Sequence, residues 1–161
     1  QTPDPDRYAT IDGSTGRMIE MIERREPAVF LCHWPGLYCN GEQTGYRAFQ
    51  RIVTTIHDRY RAQTHWMKIS EIARYWAAKG LTTIAQQGQT WTLDAPFACP
   101  DYTLRIEGSG PAPPAVTHQG ERAMLQECST TKDLQSGRWR RDGDATVVCW
   151  NLARGKTEIN F

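Results

Sequence analysis

Four histidines and five cysteines are the side chains best suited to chemistry in this chain of 161 residues. His33 stands apart from the others. It closes the apolar run Ala28-Val29-Phe30-Leu31-Cys32, where the chain passes into Trp34-Pro35-Gly36. In parallel α/β sheets and barrels, functional side chains gather at the carboxyl ends of strands. An imidazole in that position donates or accepts a proton near neutral pH. The plainer alternative is a histidine hydrogen-bonded to a neighbouring loop. His57 lies beside a helical apolar stripe, His65 opens a short strand-like run, and His118 follows a proline-rich loop. These three read as structural or solvent-exposed, and no two histidines have the short helical spacing of metal ligands. Cys32, Cys39, Cys99, Cys128 and Cys149 are odd in number and widely spaced, with no CxxC pair, which argues against a zinc ribbon or a thioredoxin-type motif. Cys32, His33 and Cys39 make only three soft ligands, so buried thiols or a loop-closing disulfide are the preferred reading of the two cysteines.

Alternating helix-like and strand-like segments must position His33. Residues 14–25 have helical spacing, with Met18, Ile19 and Ile22 on one face and Pro27 as the stop. The run 28–32 has the length and continuous apolarity of a strand buried on both faces. Turn-rich sequence follows at Pro35-Gly36 and Asn40-Gly41. The spacing then predicts a long helix over 44–61, with Tyr46, Phe49, Val53, Ile56 and Tyr60 as its apolar stripe. His65-Trp66-Met67 is a candidate short strand. Ser70 is the expected cap of a further helix that buries Ile72, Ala73, Trp76 and Ala77 and ends at Gly80. Such alternation is the pattern of an α/β unit with a parallel sheet.

After Gly80 the period becomes two. Residues 81–86 and 89–94 form a predicted hairpin around Gln87-Gly88, with Trp91 and Leu93 on one face. Tyr102, Leu104 and Ile106 alternate likewise, as do Val148, Trp150 and Leu152, while residues 108–114 (GSGPAPP) form a loop. This half reads as a small antiparallel β unit. Its aromatic residues Trp91, Tyr102, Trp139 and Trp150 invite comparison with sugar-stacking surfaces. Core packing is preferred for Trp91 and Trp150, which share faces with aliphatic residues. Trp139, flanked by Arg138, Arg140 and Arg141, suits an exposed edge able to meet a polar ligand.

Composition sets the outer bounds. Nineteen basic side chains against 18 acidic ones give a net charge of +1. Neither half deviates, with 11 basic and 9 acidic groups in residues 1–80 and 8 and 9 in residues 81–161. That balance gives no reason to expect nucleic acid or an anionic membrane as partner, and no apolar run reaches the ~20 residues of a membrane span. Six Trp, six Tyr and four Phe suit a packed chain. The chain opens with Gln1-Thr2-Pro3 and carries no basic-then-apolar leader, so either a signal peptide has been removed or this is a piece of something longer.

Residues 28–33 (AVFLCH) and, thirty-seven positions after His33, Ser70-Glu71-Ile72 carry a resemblance. An aliphatic strand ending in His, a loop, a long helix, a short strand and a Ser-Glu-Ile helix start resemble the end of the polysaccharide deacetylase (NodB-type) domain. The likeness covers about residues 27–78. It implies the incomplete end of a deacetylase-like (β/α) barrel over residues 1–80, followed by a small β-sandwich-like accessory module over 81–161. Proteins of that family remove acetyl groups from amino sugars with a divalent metal, usually zinc, held by an Asp and two His, and the His of the last motif is the general acid. That role falls on His33. Trp34, where Asp is common in the family, is expected to contact substrate beside it. The metal motifs precede this region in the family, and residues 1–26 contain none. A barrel of this type needs roughly 200 residues or more.

The expectation is therefore a fragment of a carbohydrate-active protein that is inactive alone. It has no cofactor of its own, while zinc and the metal motifs reside in a missing N-terminal barrel portion. Carbohydrate is the expected partner, and the location is extracellular or periplasmic under the resemblance. The alternative is a non-catalytic carbohydrate-binding or accessory β module in which Trp139 contacts sugar.

Overall fold

The computed structural model describes residues 4–161, a mixed α/β chain that divides into two compact units at Met67/Lys68. In the first unit, a 3-10 turn at Pro5–Arg7 precedes helices α1 (Arg17–Glu23), α2 (Trp34–Tyr38) and α3 (Thr44–Tyr60). Ala9, Met18 and Ile19 pack against Ile52, Ile56 and Tyr60 of α3. The buried side of α3 is thus Gly45, Ile52, Ile56 and Tyr60, while Tyr46 of the expected stripe is open to solvent. The rotation brings Gly45 against α2, where a methyl group would sit 2.0 Å from the Gly36 carbonyl oxygen. The first residues are tied to α3 by Arg51, whose guanidinium donates to Asp6 at 2.5 Å and to the Ala9 carbonyl at 3.1 Å.

The expected parallel sheet is corrected here. Among the described residues the first unit contains no strand, and neither 28–32 nor 65–67 pairs with anything. A strand needs a neighbour to take up its backbone groups, and these two runs have none. Residues 27–33 nevertheless keep a period of two in burial. Ala28 and Phe30 pack inward, with the Phe30 ring 4.9 Å from that of Tyr8, whereas Val29 and Leu31 face solvent, Leu31 at 81% exposure. The doubly buried apolar run is therefore a one-sided extended segment.

The second unit is a two-sheet sandwich with one helix, α4 (Ile69–Leu81). The strands are β1 (Thr83–Gln87), β2 (Thr90–Ala95), β3 (Cys99–Glu107), β4 (Ala115–His118), β5 (Glu121–Met124), β6 (Gln126–Glu127), β7 (Arg138–Asp142), β8 (Ala145–Leu152) and β9 (Gly155–Asn160). One sheet runs β1-β2-β9-β4-β5 and the other β3-β8-β7-β6; every pairing is antiparallel except β6 with β7. A hairpin forms here as expected in kind, but its turn is Gly88-Gln89 rather than Gln87-Gly88: Gln87 lies opposite Thr90, and Gly88 takes a φ of 59° that glycine adopts without strain. Leu93, Val148, Leu152 and Ile159 are closed off completely and form the centre of the core.

Helix α4 belongs to this unit, although the composition changes only at Gly80. Ala78 enters the sandwich core, the Tyr75 ring lies 5.8 Å from that of Tyr102, and the Tyr75 hydroxyl donates to the Thr103 carbonyl at 3.4 Å. Its first turn begins two residues earlier than expected. Lys68 is the cap, its N–H donating to the Glu71 carboxylate at 2.8 Å, and Ser70 sits inside the helix. Trp76, expected on the buried side, is exposed. No helix among the described residues is long and apolar enough to cross a membrane.

Candidate functional site

His33 has an extended backbone, φ −100° and ψ 136°, and serves as the residue before α2, its carbonyl accepting from Leu37 N–H at 3.1 Å. The imidazole is exposed and makes no hydrogen bond among the described residues. Trp34 follows at 72% exposure and lies parallel to Tyr38, ring centres 5.5 Å apart and planes 16° apart. The stacked pair forms an apolar ledge on the helical turn that directly follows His33. Behind it the chain turns sharply. Cys39, Asn40 and Gln43 all take left-handed φ values of 45° to 55°, an arrangement costly for side-chain-bearing residues and concentrated in this one loop.

Two forces hold that loop. Gly45 lets α2 approach α3 closely, and the Cys39 thiol donates to the Gly36 carbonyl at 3.0 Å. The Cys39 thiol is shifted toward thiolate by the Thr44 hydroxyl and then by the Gly45 N–H at the start of α3. Burial pushes Cys32 the other way. All five cysteines are free thiols, so no disulfide closes the His33 loop. Among the described residues no group of three or more His, Cys, Asp or Glu side chains comes together.

Trp139 is placed differently from its sequence-based reading. It is 5% exposed, its ring faces the sandwich core, and the Arg141 guanidinium lies 5.4 Å over the ring. The reason is register. Trp139 sits opposite the fully buried Val148 of β8, and the alternation of β7 turns its ring inward with that side chain. One of its arginine neighbours is drawn off as well: Arg141 donates to the Thr146 hydroxyl and the Gly110 carbonyl, each at 2.6 Å. Trp91, Tyr102 and Trp150 are buried too, so none of the four rings opens to solvent. A depression of about 530 Å³ beside Arg141, lined by Gly108, Ser109, Pro111, Gly143 and Asp144, has its guanidinium already engaged in this way.

The structure thus brings Trp34 and Tyr38 together on the helical turn that follows His33, while Trp139 lies in the other unit's core. Tyr38 was not singled out in the sequence, although its spacing of four from Trp34 is the helical signal that would have paired them. Comparison with family models, with curated proteins and with solved structures finds no match for the chain.

Proposed function

We propose that this chain is the C-terminal part of a polysaccharide deacetylase-like protein, with His33 and Trp34 on its substrate side and a β-sandwich accessory unit attached. The observation that carries the reading is the segment 27–33. Its alternating burial, with Val29 and Leu31 open and His33 at its end, suits a strand whose neighbours lie elsewhere in a barrel. In the complete protein His33 protonates the leaving amine of an N-acetylated sugar. The Trp34–Tyr38 ledge offers its apolar face to the C–H surface of a sugar ring beside that imidazole. The metal chemistry belongs to residues outside this chain, and the chain alone does not hydrolyse acetyl groups.

The test is acetate release from N-acetylated chito-oligosaccharides by the product of the full reading frame that contains this sequence. The longer protein is expected to be zinc-dependent, and His33→Gln to lower kcat about 100-fold or more. Activity of the 161-residue chain by itself, or wild-type activity in His33→Gln, overturns the reading. A purely binding role is the second reading, and Trp34 rather than Trp139 supports it. Sugar-dependent quenching of tryptophan fluorescence is expected to disappear in Trp34→Ala and to persist in Trp139→Phe.

A further inference from the structure

Four strands lie at sheet edges: β1 and β5 in one sheet, β3 and β6 in the other. An edge strand offers unpaired N–H and C=O groups to any other strand, and proteins guard such edges with charge, proline, bulges or brevity. Three of the four are guarded. β3 carries Asp101, Arg105 and Glu107 and a bulge between Cys99 and Tyr102; β5 carries Glu121 and Arg122; β6 is two residues long. β1 has none of these devices. From Leu81 through Leu93 there is no charged residue and no proline, and all five residues of β1 are exposed.

Register makes the omission sharper. Ile84 lies opposite Leu93 and Gln86 opposite Trp91, so both project from the core-facing side of the sheet. Yet Ile84 remains 46% exposed, and Leu81 next to the strand is open as well. At Ile84 the apolar inner face of the sheet thus reaches past the part of the sandwich that is covered.

We propose that β1 is a self-association edge, where two copies of the chain pair their β1 strands antiparallel about a two-fold axis and join two five-stranded sheets into one. The lack of charge points to a second copy rather than to an unrelated strand. In a two-fold pairing every side chain meets side chains of the same strand, so charges of one sign would face each other. Full overlap sets Ala85 opposite Ala85, Ile84 opposite Gln86 and Thr83 opposite Gln87. A contact of five residues, even with Leu81 beside it, is smaller than a standard interface of about 1,600 Å². Association is therefore weak and concentration-dependent.

Sedimentation equilibrium of the whole chain over a range of concentrations tests this. The weight-average mass is expected to rise from 18.3 kDa toward a dimer and no further. Ala85→Lys and Ala85→Glu, both on an exposed strand, are each expected to weaken association about tenfold or more with unchanged circular dichroism. An equimolar mixture of the two variants is expected to associate again. A chain that stays monomeric at millimolar concentration overturns the proposal. So does a dimer indifferent to both charges, a mixture that fails to re-associate, or growth beyond the dimer.

Discussion

Asp12 shows how much a single carboxylate can organise. It accepts from the Thr10 hydroxyl at 2.7 Å, the Ser14 N–H at 3.1 Å and the Ser14 hydroxyl at 2.9 Å, pinning the turn that leads into α1. These donors favour the charged form, the Thr10 hydroxyl most, and bring its pKa from 3.8 down to about 2. A depressed carboxyl pKa adds stability that is fully present above the unfolded value and is lost as pH falls through the folded one. The Asp12 carbon resonance is accordingly expected to titrate near pH 2. Asp12→Asn is expected to remove the part of the acid destabilisation that falls between about pH 4 and pH 2, as read by urea unfolding across that range. Thr146 is the corresponding organiser in the sandwich. Its completely buried hydroxyl lies 2.6 Å from the Ser109 hydroxyl and from the Arg141 guanidinium, closing the loop between β3 and β4. Thr146→Val leaves both partners without their bond and is expected to cost about 1–3 kcal/mol in chemical denaturation. At this scale the sequence was legible where position along the chain decided the matter. His33 could be singled out because it ends an apolar run, and its side chain is exposed in the structure. Trp139 was misread because its arginine neighbours suggested an exposed edge, whereas strand alternation turns the ring inward whatever its neighbours carry.

Among the elements, helix packing is decided by one glycine. Gly45 is buried where α3 meets α2, and any side chain there must displace the Gly36 carbonyl. Gly45→Ala is expected to cost about 1–3 kcal/mol through overpacking and to disturb the Trp34–Tyr38 stack, visible in near-ultraviolet circular dichroism. Gly80, near the end of α4, has nothing within 4 Å of an added methyl group. Gly80→Ala is expected to stabilise the chain by about 0.5–1 kcal/mol, since the unfolded chain loses more freedom than the helix does. The long helix, the hairpin at Gly88 and the strands around Leu104 and Trp150 were readable because their periodicity is local. α1 falls short of its expected extent, α2 forms where only turns are expected, and β4, β5, β6, β7 and β9 have no counterpart among the expected strands. β5, for instance, is exposed at all four residues, so no burial pattern marks it. The strands assigned to 28–32 and 65–67 failed for another reason. An apolar run states that a segment needs cover, but its partners decide whether it becomes a strand, and none of the described residues pairs with it.

For the whole molecule, the two units differ in how completely they bury what they carry. The sandwich encloses Trp91, Leu93, Trp139, Trp150 and Ile159 in one core. The helical unit closes a small core around Ile19 and Ile56 and leaves Val29, Leu31, Trp34 and Trp66 in solvent. Under the deacetylase-like reading proposed above, a barrel covers these side chains. The composition changes at Gly80, whereas the compact units divide at Met67/Lys68, because α4 is helical in pattern and yet packs on β3. The proposed reading requires residues 27–33, extended and unpaired here, to become a strand in the longer protein. Amide hydrogen exchange of Val29 to Cys32, compared between this chain and the product of its full reading frame, measures that directly. The account predicts rapid exchange in the 161-residue chain and protection of at least about 1,000-fold in the longer protein, the level of a strand in a folded core. Equally rapid exchange in both would contradict it.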